Sequence, residues 1–203
     1  MQKLIIFILI GLLRSGYAQV VEYYPTGGIR SRGSMHNDVK EGEWQYYFPG
    51  GKLNAKENYA GGKLNGEVIY YYESGTVEGR EQWQHGMLQD SAFYFHENGK
   101  LYRKGVYKNS LYDGRWQYFF KSGVLEREIN YENGSPNGEV LSYNEQGILL
   151  QHGYYKNGME SGEWKFYRDD GQLSYSGYYL DGKRVGEWFK YDKNGRKKIW
   201  KNR

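Results

Sequence analysis

The sequence contains no cysteine and only 3 prolines among 203 residues. The lack of cysteine excludes a disulfide framework, the usual zinc fingers and a lipid anchor attached at a cysteine. Long hydrophobic runs are also scarce, because the longest, Leu4–Leu13, has ten residues, whereas a membrane-spanning helix needs roughly 20. A strong excess of one charge is missing too: 28 basic and 24 acidic residues give a formal +4. This balance argues against a nucleic-acid partner.

The first 18 residues have the layout of a secretory signal peptide. Lys3 provides a short basic region, Leu4–Leu13 the apolar region, and small residues precede a cleavage point after Ala18. We therefore expect residues 19–203 to form the mature protein, secreted or located in the periplasm or outer envelope. Because Arg14 lies close to the cleavage point, retention of the segment as a short anchor is the alternative.

The sequence is rich in glycine and aromatic residues. The chain has 29 glycines, 23 tyrosines and 6 tryptophans, and aromatic residues make up 18% of it. A typical disordered chain would be poor in aromatics. The composition is instead typical of many short strands with aromatic faces, separated by glycine turns.

Glycine recurs every 24 residues without insertion or deletion. Seven blocks, called repeats 1 to 7 here, begin at Gly42, Gly66, Asp90, Gly114, Gly138, Gly162 and Gly186. The number of residues after a block's first residue is its repeat position. Position 9 is always glycine and marks predicted structural turns at Gly51, Gly75, Gly99, Gly123, Gly147, Gly171 and Gly195. Gly27 extends the spacing one block back, so the array starts close to the predicted cleavage point.

Apolar residues also keep fixed repeat positions. Position 2 holds Trp44, Val68, Ala92, Trp116, Val140, Trp164 and Trp188. Position 5 holds Tyr47, Tyr71, Phe95, Phe119, Tyr143, Tyr167 and Tyr191. Position 11 is leucine or valine and position 17 is tyrosine or tryptophan throughout repeats 1 to 6. These regular columns indicate one supersecondary unit per block.

Each block contains two β-rich runs and two turns, and Asn-Gly between apolar runs is a strong hairpin signal. We predict an all-β fold, an elongated single-layer antiparallel sheet of tandem 24-residue β-hairpin repeats. About seven to eight repeats are expected, the first and last acting as caps. A two-residue first turn would place positions 2 and 11 on one face, whereas a three-residue turn with a bulge would pair positions 5 and 11. The sequence leaves this choice open, but aromatics at odd and even positions predict rings on both faces.

The clearest copy of the repeat resembles a known family. It reads Gly-Glu-Trp-Lys-Phe-Tyr from Gly162, then Gly171, Leu173, Tyr179, Gly182 and Gly186. This pattern resembles the variant of the MORN (membrane occupation and recognition nexus) repeat over roughly residues 20 to 200. The resemblance implies a single-layer sheet of stacked hairpins and a scaffold that binds proteins or associates with lipid. Bacterial relatives are often labelled as antitoxin components of toxin–antitoxin systems, an intracellular role from which an export signal departs.

Residues for chemistry are sparse. The four histidines, His36, His85, His96 and His152, occupy unlike repeat positions and none has acids at metal-ligand spacing. Glutamates at position 1 are interpreted as solvated ladder residues. An active site needs a unique asymmetric group of residues, whereas side chains here have counterparts in other blocks. We therefore expect no enzyme, no catalytic residue, no metal and no cofactor.

The aromatic columns carry the functional prediction. Their structural interpretation is rings that pack across strands. Their functional interpretation is a ribbon of partner-binding rings, for which the candidates are Trp44, Trp116, Trp164, Trp188, Tyr47, Tyr71 and Tyr167. We expect an exported, non-enzymatic scaffold that binds a protein partner through this aromatic face. A glycan-binding or cell-envelope module is the alternative, since ring faces also stack on sugars.

The C-terminal segment 196–203 is basic and has two apolar residues, with Lys197 in the leucine column. We interpret it as a polar cap that prevents end-to-end strand pairing. Contact with an anionic surface, such as lipid headgroups, is the other interpretation. A homodimer formed by sheet pairing also stays open.

Overall fold

In the computed structural model the described residues are 16–200, together with the backbone of residues 7–9. They form strands and turns, and they divide into two compact units, Met1–Gly99 and Lys100–Arg203. The strands of unit 1 are β1 Phe7–Leu9, β2 Tyr17–Tyr23, β3 Ile29–His36, β4 Val39–Tyr47, β5 Leu53–Ala60, β6 Lys63–Leu64, β7 Gly66–Tyr71, β8 Val77–Gln84, β9 Met87–Leu88 and β10 Asp90–Phe95. The strands of unit 2 are β11 Leu101–Lys108, β12 Leu111–Phe119, β13 Leu125–Glu132, β14 Ser135–Tyr143, β15 Leu149–Lys156, β16 Met159–Tyr167, β17 Leu173–Leu180, β18 Lys183–Tyr191 and β19 Lys197–Ile199.

Strands adjacent in the sequence pair antiparallel in both units. In repeat 6, for example, β16 pairs with β17 and places Trp164 opposite Gly177. In repeats 2 and 3 the first strand is interrupted by one residue, which separates β6 from β7 and β9 from β10. The all-β class and the 24-residue hairpin repeat are confirmed.

The turn at position 9 has the bulged, three-residue geometry. In repeat 1 the amide of Phe48 donates to the Lys52 carbonyl and the amide of Gly51 donates to the Phe48 carbonyl, both at 2.8 Å. Gly51 has φ +83°, a left-handed conformation that glycine adopts without steric cost. Tyr47 then pairs with Leu53. The open choice is thus decided for pairing of positions 5 and 11, because a type I turn followed by a left-handed glycine adds one residue.

The second turn of each repeat is the two-residue type. Asn133 and Gly134 have φ +50° and +81°, as a type I′ turn requires, and they leave Glu132 paired with Ser135. Successive turns of this kind are joined, since the Gly134 amide donates to the Tyr112 carbonyl at 2.9 Å. The same bond recurs at Gly62, Gly86, Gly158 and Gly182. This edge of the array is therefore built from stacked, hydrogen-bonded turns.

The first residue of each block forms a bulge. Glycines stand there at φ values between +63° and +114°, and Asp90, the exception in the sequence, adopts φ +64°. The pairing register shifts beside this position, for example between His152 and Tyr154 on β15. Aspartate tolerates the left-handed region better than most residues, which is why the column accepts it.

Most of the predicted signal peptide, residues 1–6 and 10–15, lies outside the described residues. The backbone of β1 pairs with β2, which opposes Phe7 to Val21. The predicted cleavage point after Ala18 falls within β2, and cleavage stays a prediction. No helix among the described residues has the length and apolar character needed to cross a membrane.

Candidate interaction surface

One face of the strands carries the side chain of position 2 and is called the tryptophan face; the reverse is called the open face. All seven position 2 side chains are buried, with exposed fractions between 0 and 5%. Each of the four tryptophans at position 2 also donates its Nε1–H to the backbone carbonyl ten residues earlier, as Trp44 does to Ser34 at 2.9 Å. The other three such bonds, to Val106, Tyr154 and Tyr178, measure 3.0 to 3.3 Å.

A glycine lies beneath each of the four tryptophan rings. A Cβ on Gly33, Gly105, Gly153 or Gly177 would overlap the ring of Trp44, Trp116, Trp164 or Trp188 respectively. These glycines stand at position 15 of the preceding block. The four tryptophans, predicted as part of a partner-binding ribbon, are therefore enclosed by the fold's own backbone and by neighbouring tyrosines instead of lying exposed.

Positions 15 and 2 vary together, and this correlation in the sequence could have predicted the burial of the tryptophans. Wherever position 2 is not tryptophan, the preceding position 15 is not glycine: the pairs are Glu57 with Val68, Glu81 with Ala92, and Ile129 with Val140. In two of these repeats an asparagine side chain at position 16 makes a further bond to the backbone. Asn58 Nδ2 donates to the Glu67 carbonyl at 2.7 Å, and Asn130 Nδ2 to that of Glu139 at 3.1 Å.

In unit 1 the two glutamates create a polar network inside the tryptophan face. Glu81, 8% exposed, accepts hydrogen bonds from Trp83 Nε1 at 3.0 Å and from the Tyr94 hydroxyl at 2.5 Å. Glu57 accepts one from the Tyr59 hydroxyl at 2.5 Å. The regular columns of the sequence did not predict this asymmetric cluster, because glutamate replaces glycine at position 15, which was not among the columns used for the prediction.

Phenols around these glutamates resist ionisation. Burial, followed by the hydrogen bond to Glu57, raises the pKa of Tyr59 to about 12. Burial raises the pKa of Tyr46 further still. Burial and then the charges of Glu81 and Glu57 raise the pKa of Tyr70. At neutral pH the tyrosine hydroxyls therefore keep their protons and donate hydrogen bonds to Glu57 and Glu81. This arrangement stabilises the packed face.

Cations of the chain itself cover several of the rings. The Lys40 ammonium lies 4.6 Å from the centre of the Trp44 ring and 4.9 Å from that of Tyr59. The Arg184 guanidinium lies 4.4 Å from both Trp188 and Trp200. Cation–π contacts of this kind add to the packing, and they leave these rings covered on the tryptophan face.

The three tyrosine candidates lie elsewhere. Tyr47, Tyr71 and Tyr167 are half-buried on the open face, opposite the leucine or valine of position 11. The Tyr47 hydroxyl donates to Gln45 Oε1 at 2.7 Å, and Arg32 lies 5.5 Å over its ring. Rings therefore occur on both faces, as predicted, and these three keep partial access to solvent.

A group of exposed apolar side chains lies on the open face of β15–β19. Six large side chains on this face are 37 to 58% exposed: Tyr154, Met159, Tyr178, Leu180, Val185 and Ile199. They are called the C-terminal patch. Tyr154 and Tyr178 both stand at position 16, where the other blocks have Ser34, Asn58, Gln82 and Asn130, and the apolar Val106. The change from polar to aromatic at this position could have identified the patch from the sequence.

Ionisable groups on the open face form pairs instead of a catalytic cluster. His152 Nε2 contacts Glu139 Oε1 at 2.9 Å, and Lys165 contacts Glu163 at 2.9 Å. The hydrogen bond to Glu163 raises the pKa of the Lys165 ammonium. Within residues 16–200, no group of three or more potential metal ligands is found.

The C-terminal basic segment is described as far as Trp200. Lys197–Ile199 forms β19, which pairs with β18, and the Lys197 ammonium lies 4.5 Å over the Phe189 ring. Its three side chains are exposed. A short, lysine-bearing strand at the end of a sheet discourages pairing with another chain, consistent with the interpretation as a cap.

The geometry of the hairpins agrees with a family comparison. The model of the MORN repeat variant matches residues 40–60, 64–85, 91–109, 112–133, 136–157 and 160–181, more than half of the chain. The chain belongs to the MORN repeat variant family. The matched MORN segments include both the Glu57 and Glu81 repeats and the tryptophan repeats, so the exchange at positions 15 and 2 occurs within one repeat type.

Comparison with whole proteins adds little to the MORN assignment. No curated protein matches the chain. Among solved structures, the crystal structure of TcdB2-TccC3-Cdc42 aligns at 12% identity with a TM-score of 0.21, over 87% of this chain and 13% of that one. The crystal structure of TcdB2-TccC3 aligns at 13% identity with a TM-score of 0.20, over 87% and 14%. The chain thus spans about one seventh of these structures, and TM-scores this low support no functional argument.

Proposed function

We propose that this chain is an exported, non-enzymatic MORN-variant scaffold that binds a protein partner through its open face. The observation that carries the proposal is the C-terminal patch, where six large apolar side chains on one face of five neighbouring strands remain 37 to 58% exposed. Large exposed apolar side chains grouped on one face are typical of interaction sites. The binding face is therefore the reverse of the one that the tryptophan column suggested.

Charge around the patch defines the partner further. Residues 181–200 contain seven basic and three acidic residues, a net +4. Arg184 of this segment lies over Trp188 on the tryptophan face, whereas the Lys197 ammonium lies over Phe189, which opposes Ile199 of the patch. Tyrosine at the centre of a patch with charged residues at its rim is common in protein interfaces. The partner surface that fits is apolar at its centre and acidic at its rim.

Two methionines provide a matched test. Met159 and Met87 stand at the same repeat position, on the open face of different units, and each is 43% exposed. A photo-crosslinking residue placed at Met159, in envelope and secreted fractions of the native cell, should capture a protein that the same residue at Met87 does not. With that partner purified, Met159→Glu or Tyr178→Glu should weaken binding at least about tenfold, and Met87→Glu should leave it unchanged.

The outcomes separate the alternatives. Equal crosslinking at both positions, or equal loss of affinity in both methionine variants, would contradict a site at the C-terminal patch. Capture of glycan or lipid without protein would contradict a protein-binding scaffold. Each variant's thermal unfolding is compared with that of the parent chain, so that loss of folding is distinguished from loss of binding.

A glycan-binding module is the second candidate, and the spacing of two exposed rings favours it. Tyr154 and Tyr178 lie two strands apart, about 10 Å at normal strand spacing. Each opposes a glutamate, Glu139 and Glu163, on the neighbouring strand. Ring faces and adjacent carboxylates suit the apolar faces and hydroxyls of successive sugars. Binding to isolated envelope polysaccharide that is lost in Tyr154→Ala and in Tyr178→Ala would support this candidate over the first.

A further inference from the structure

Unit 1 has an open depression on the open face of its strands. It has a volume of about 520 Å³ and is lined by Thr76, Val77, Arg80, Phe93, Phe95 and Gly99. We call it the Phe93 pocket. Phe93 is 39% exposed and lies directly opposite Arg80 in the pairing of β10 with β8. Its volume is within the usual range of small-molecule sites, which are mainly apolar with a few polar groups that fix orientation.

A comparison within the chain shows what is unusual about this pocket. The equivalent pair near the N-terminal end is Arg32 opposite Gln45, and there the guanidinium donates two hydrogen bonds to Gln45 Oε1 at 2.9 and 2.7 Å. Phe93 replaces that acceptor with a phenyl ring. Arg80 instead has a 3.6 Å ion pair with Glu67, and both side chains are about half exposed. The Arg80 guanidinium, which can donate further hydrogen bonds, therefore lies beside the aromatic rings of Phe93 and Phe95.

We propose that the Phe93 pocket binds a small organic acid with an apolar body, such as an aryl carboxylate. The carboxylate would accept hydrogen bonds from Arg80, whose planar fork suits two carboxylate oxygens. The body would pack against Phe93, Phe95 and Val77. Arg80 is the one cation among the six lining residues, and the ligand carboxylate would share its guanidinium with Glu67. The proposal is independent of the protein-binding function, because the two sites lie in different units.

The test uses 3-phenylpropanoate as the probe and the purified full chain. Titration followed by calorimetry or ligand-observed NMR should give a Kd on the order of 1 mM, as expected for a ligand of this size in an open site. The neutral analogue 3-phenylpropanamide should bind at least about tenfold more weakly, because the charge-assisted bond to the guanidinium is lost.

Three variants locate the site. Arg80→Met should weaken binding of 3-phenylpropanoate at least about tenfold. Phe93→Gln, which installs the residue that repeat 1 has at this position, should do the same by restoring an internal acceptor for Arg80. Arg32→Met, at the matched position of the other pair, should leave the affinity unchanged. Because glutamine is natural at the position, Phe93→Gln is expected to fold normally, which circular dichroism and thermal unfolding check.

Each remaining outcome overturns the proposal. It fails if 3-phenylpropanoate does not bind at ten times the expected Kd, if the amide binds equally well, or if Arg80→Met and Arg32→Met have equal effects. A tripeptide ending in phenylalanine with a free carboxylate is titrated in parallel. Affinity more than tenfold above that of 3-phenylpropanoate would assign the pocket to a polypeptide C-terminus and overturn the small-molecule assignment.

Discussion

The middle repeats of unit 1 and most repeats of unit 2 fill the same positions of the tryptophan face with opposite chemistry. In unit 2 the usual pair is glycine under tryptophan, as at Gly153 and Trp164, and tyrosines close around the indole with ring centres 5.4 and 5.7 Å away. In unit 1, Glu57 and Glu81 stand beside Val68 and Ala92, and tyrosine hydroxyls bind the carboxylates. The same backbone therefore accepts two combinations. Either position 15 is glycine and position 2 is tryptophan, or position 15 is glutamate and position 2 is a small apolar residue.

The difference shows that volume is shared between neighbouring repeats. A Cβ beneath a tryptophan would overlap the ring, whereas Ile129 beside Val140 packs without conflict. Dense packing makes the two positions dependent on each other. The relevant unit of the core is therefore the pair formed by position 15 and the following position 2, and its two members belong to consecutive repeats.

The largest expected effect comes from breaking such a pair in unit 2. Gly105→Ile should destabilise the chain by more than about 3 kcal/mol, because the new side chain must displace Trp116. Adding Trp116→Val recreates the Ile129–Val140 combination and should recover more than half of the loss. Denaturant unfolding of both single variants and the double variant measures this coupling. A double variant as unstable as Gly105→Ile alone would contradict the shared-volume explanation.

The next effect concerns the network of unit 1. Glu81→Leu should cost about 2 to 3 kcal/mol, because the Tyr94 hydroxyl and the Trp83 indole would lose a buried acceptor. Hydrogen exchange should show the loss of protection in β8 and β10. Glu67→Leu, which removes an exposed acid from the other face of the same repeat, is the control and should change stability by less than about 0.5 kcal/mol. Equal effects of the two changes would mean that the network adds no specific stability.

A smaller effect should be the same in both units. Gly99→Val and Gly171→Val each force a β-branched residue to φ of about +80°, which should cost about 1 to 2 kcal/mol. Because the turn geometry at position 9 does not differ between the units, the two losses in thermal unfolding should agree closely. A marked inequality would show that the contrast between the units extends from the packed face to the turns.

The smallest effect is a pH dependence, which Tyr59 of unit 1 tests. The pKa of Tyr59 is raised to about 12, whereas a phenol in the unfolded chain titrates near 10. Below pH 10 both states keep the proton and stability is unaffected. As the pH rises from 10 to 12 the unfolded state loses the proton and the folded state retains it, so unfolding becomes more favourable. Tm should fall by a few degrees, and less in Tyr59→Phe; an equal fall in that variant would contradict the assignment.

Much of the fold followed from the sequence because glycine spacing is a geometric requirement. Position 9 must be glycine for its left-handed φ, so the turns and the repeat length could be predicted. The register across that turn was left open, because two loop types accept the same residues. The hydrogen bonds that decide it are made by backbone atoms, which the columns do not reveal.

The burial of the tryptophans was left open for a different reason. Tryptophan at a regular position is compatible with exposure or burial, and the outcome depends on the residue eleven positions earlier. Gly33 decides the burial of Trp44, and Gly177 that of Trp188. The exposed rings Tyr154 and Tyr178 interrupt a column that is otherwise mainly polar, so a search for regularity passes over them. The predicted signal peptide and partner remain predictions.

The pairing of position 15 with the next position 2 also governs how the array tolerates loss of a whole block. Deletion of residues 66–89 would join Glu57 to Ala92, a combination of the kind already present, and the hairpins should close over the gap. Deletion of residues 90–113, equal in length, would bring Glu81 under Trp116 and set a carboxylate against an indole. Repeats of identical size are therefore not interchangeable. Blocks can be deleted or duplicated without disturbing the core only where position 15 of one block fits position 2 of the block that then follows it.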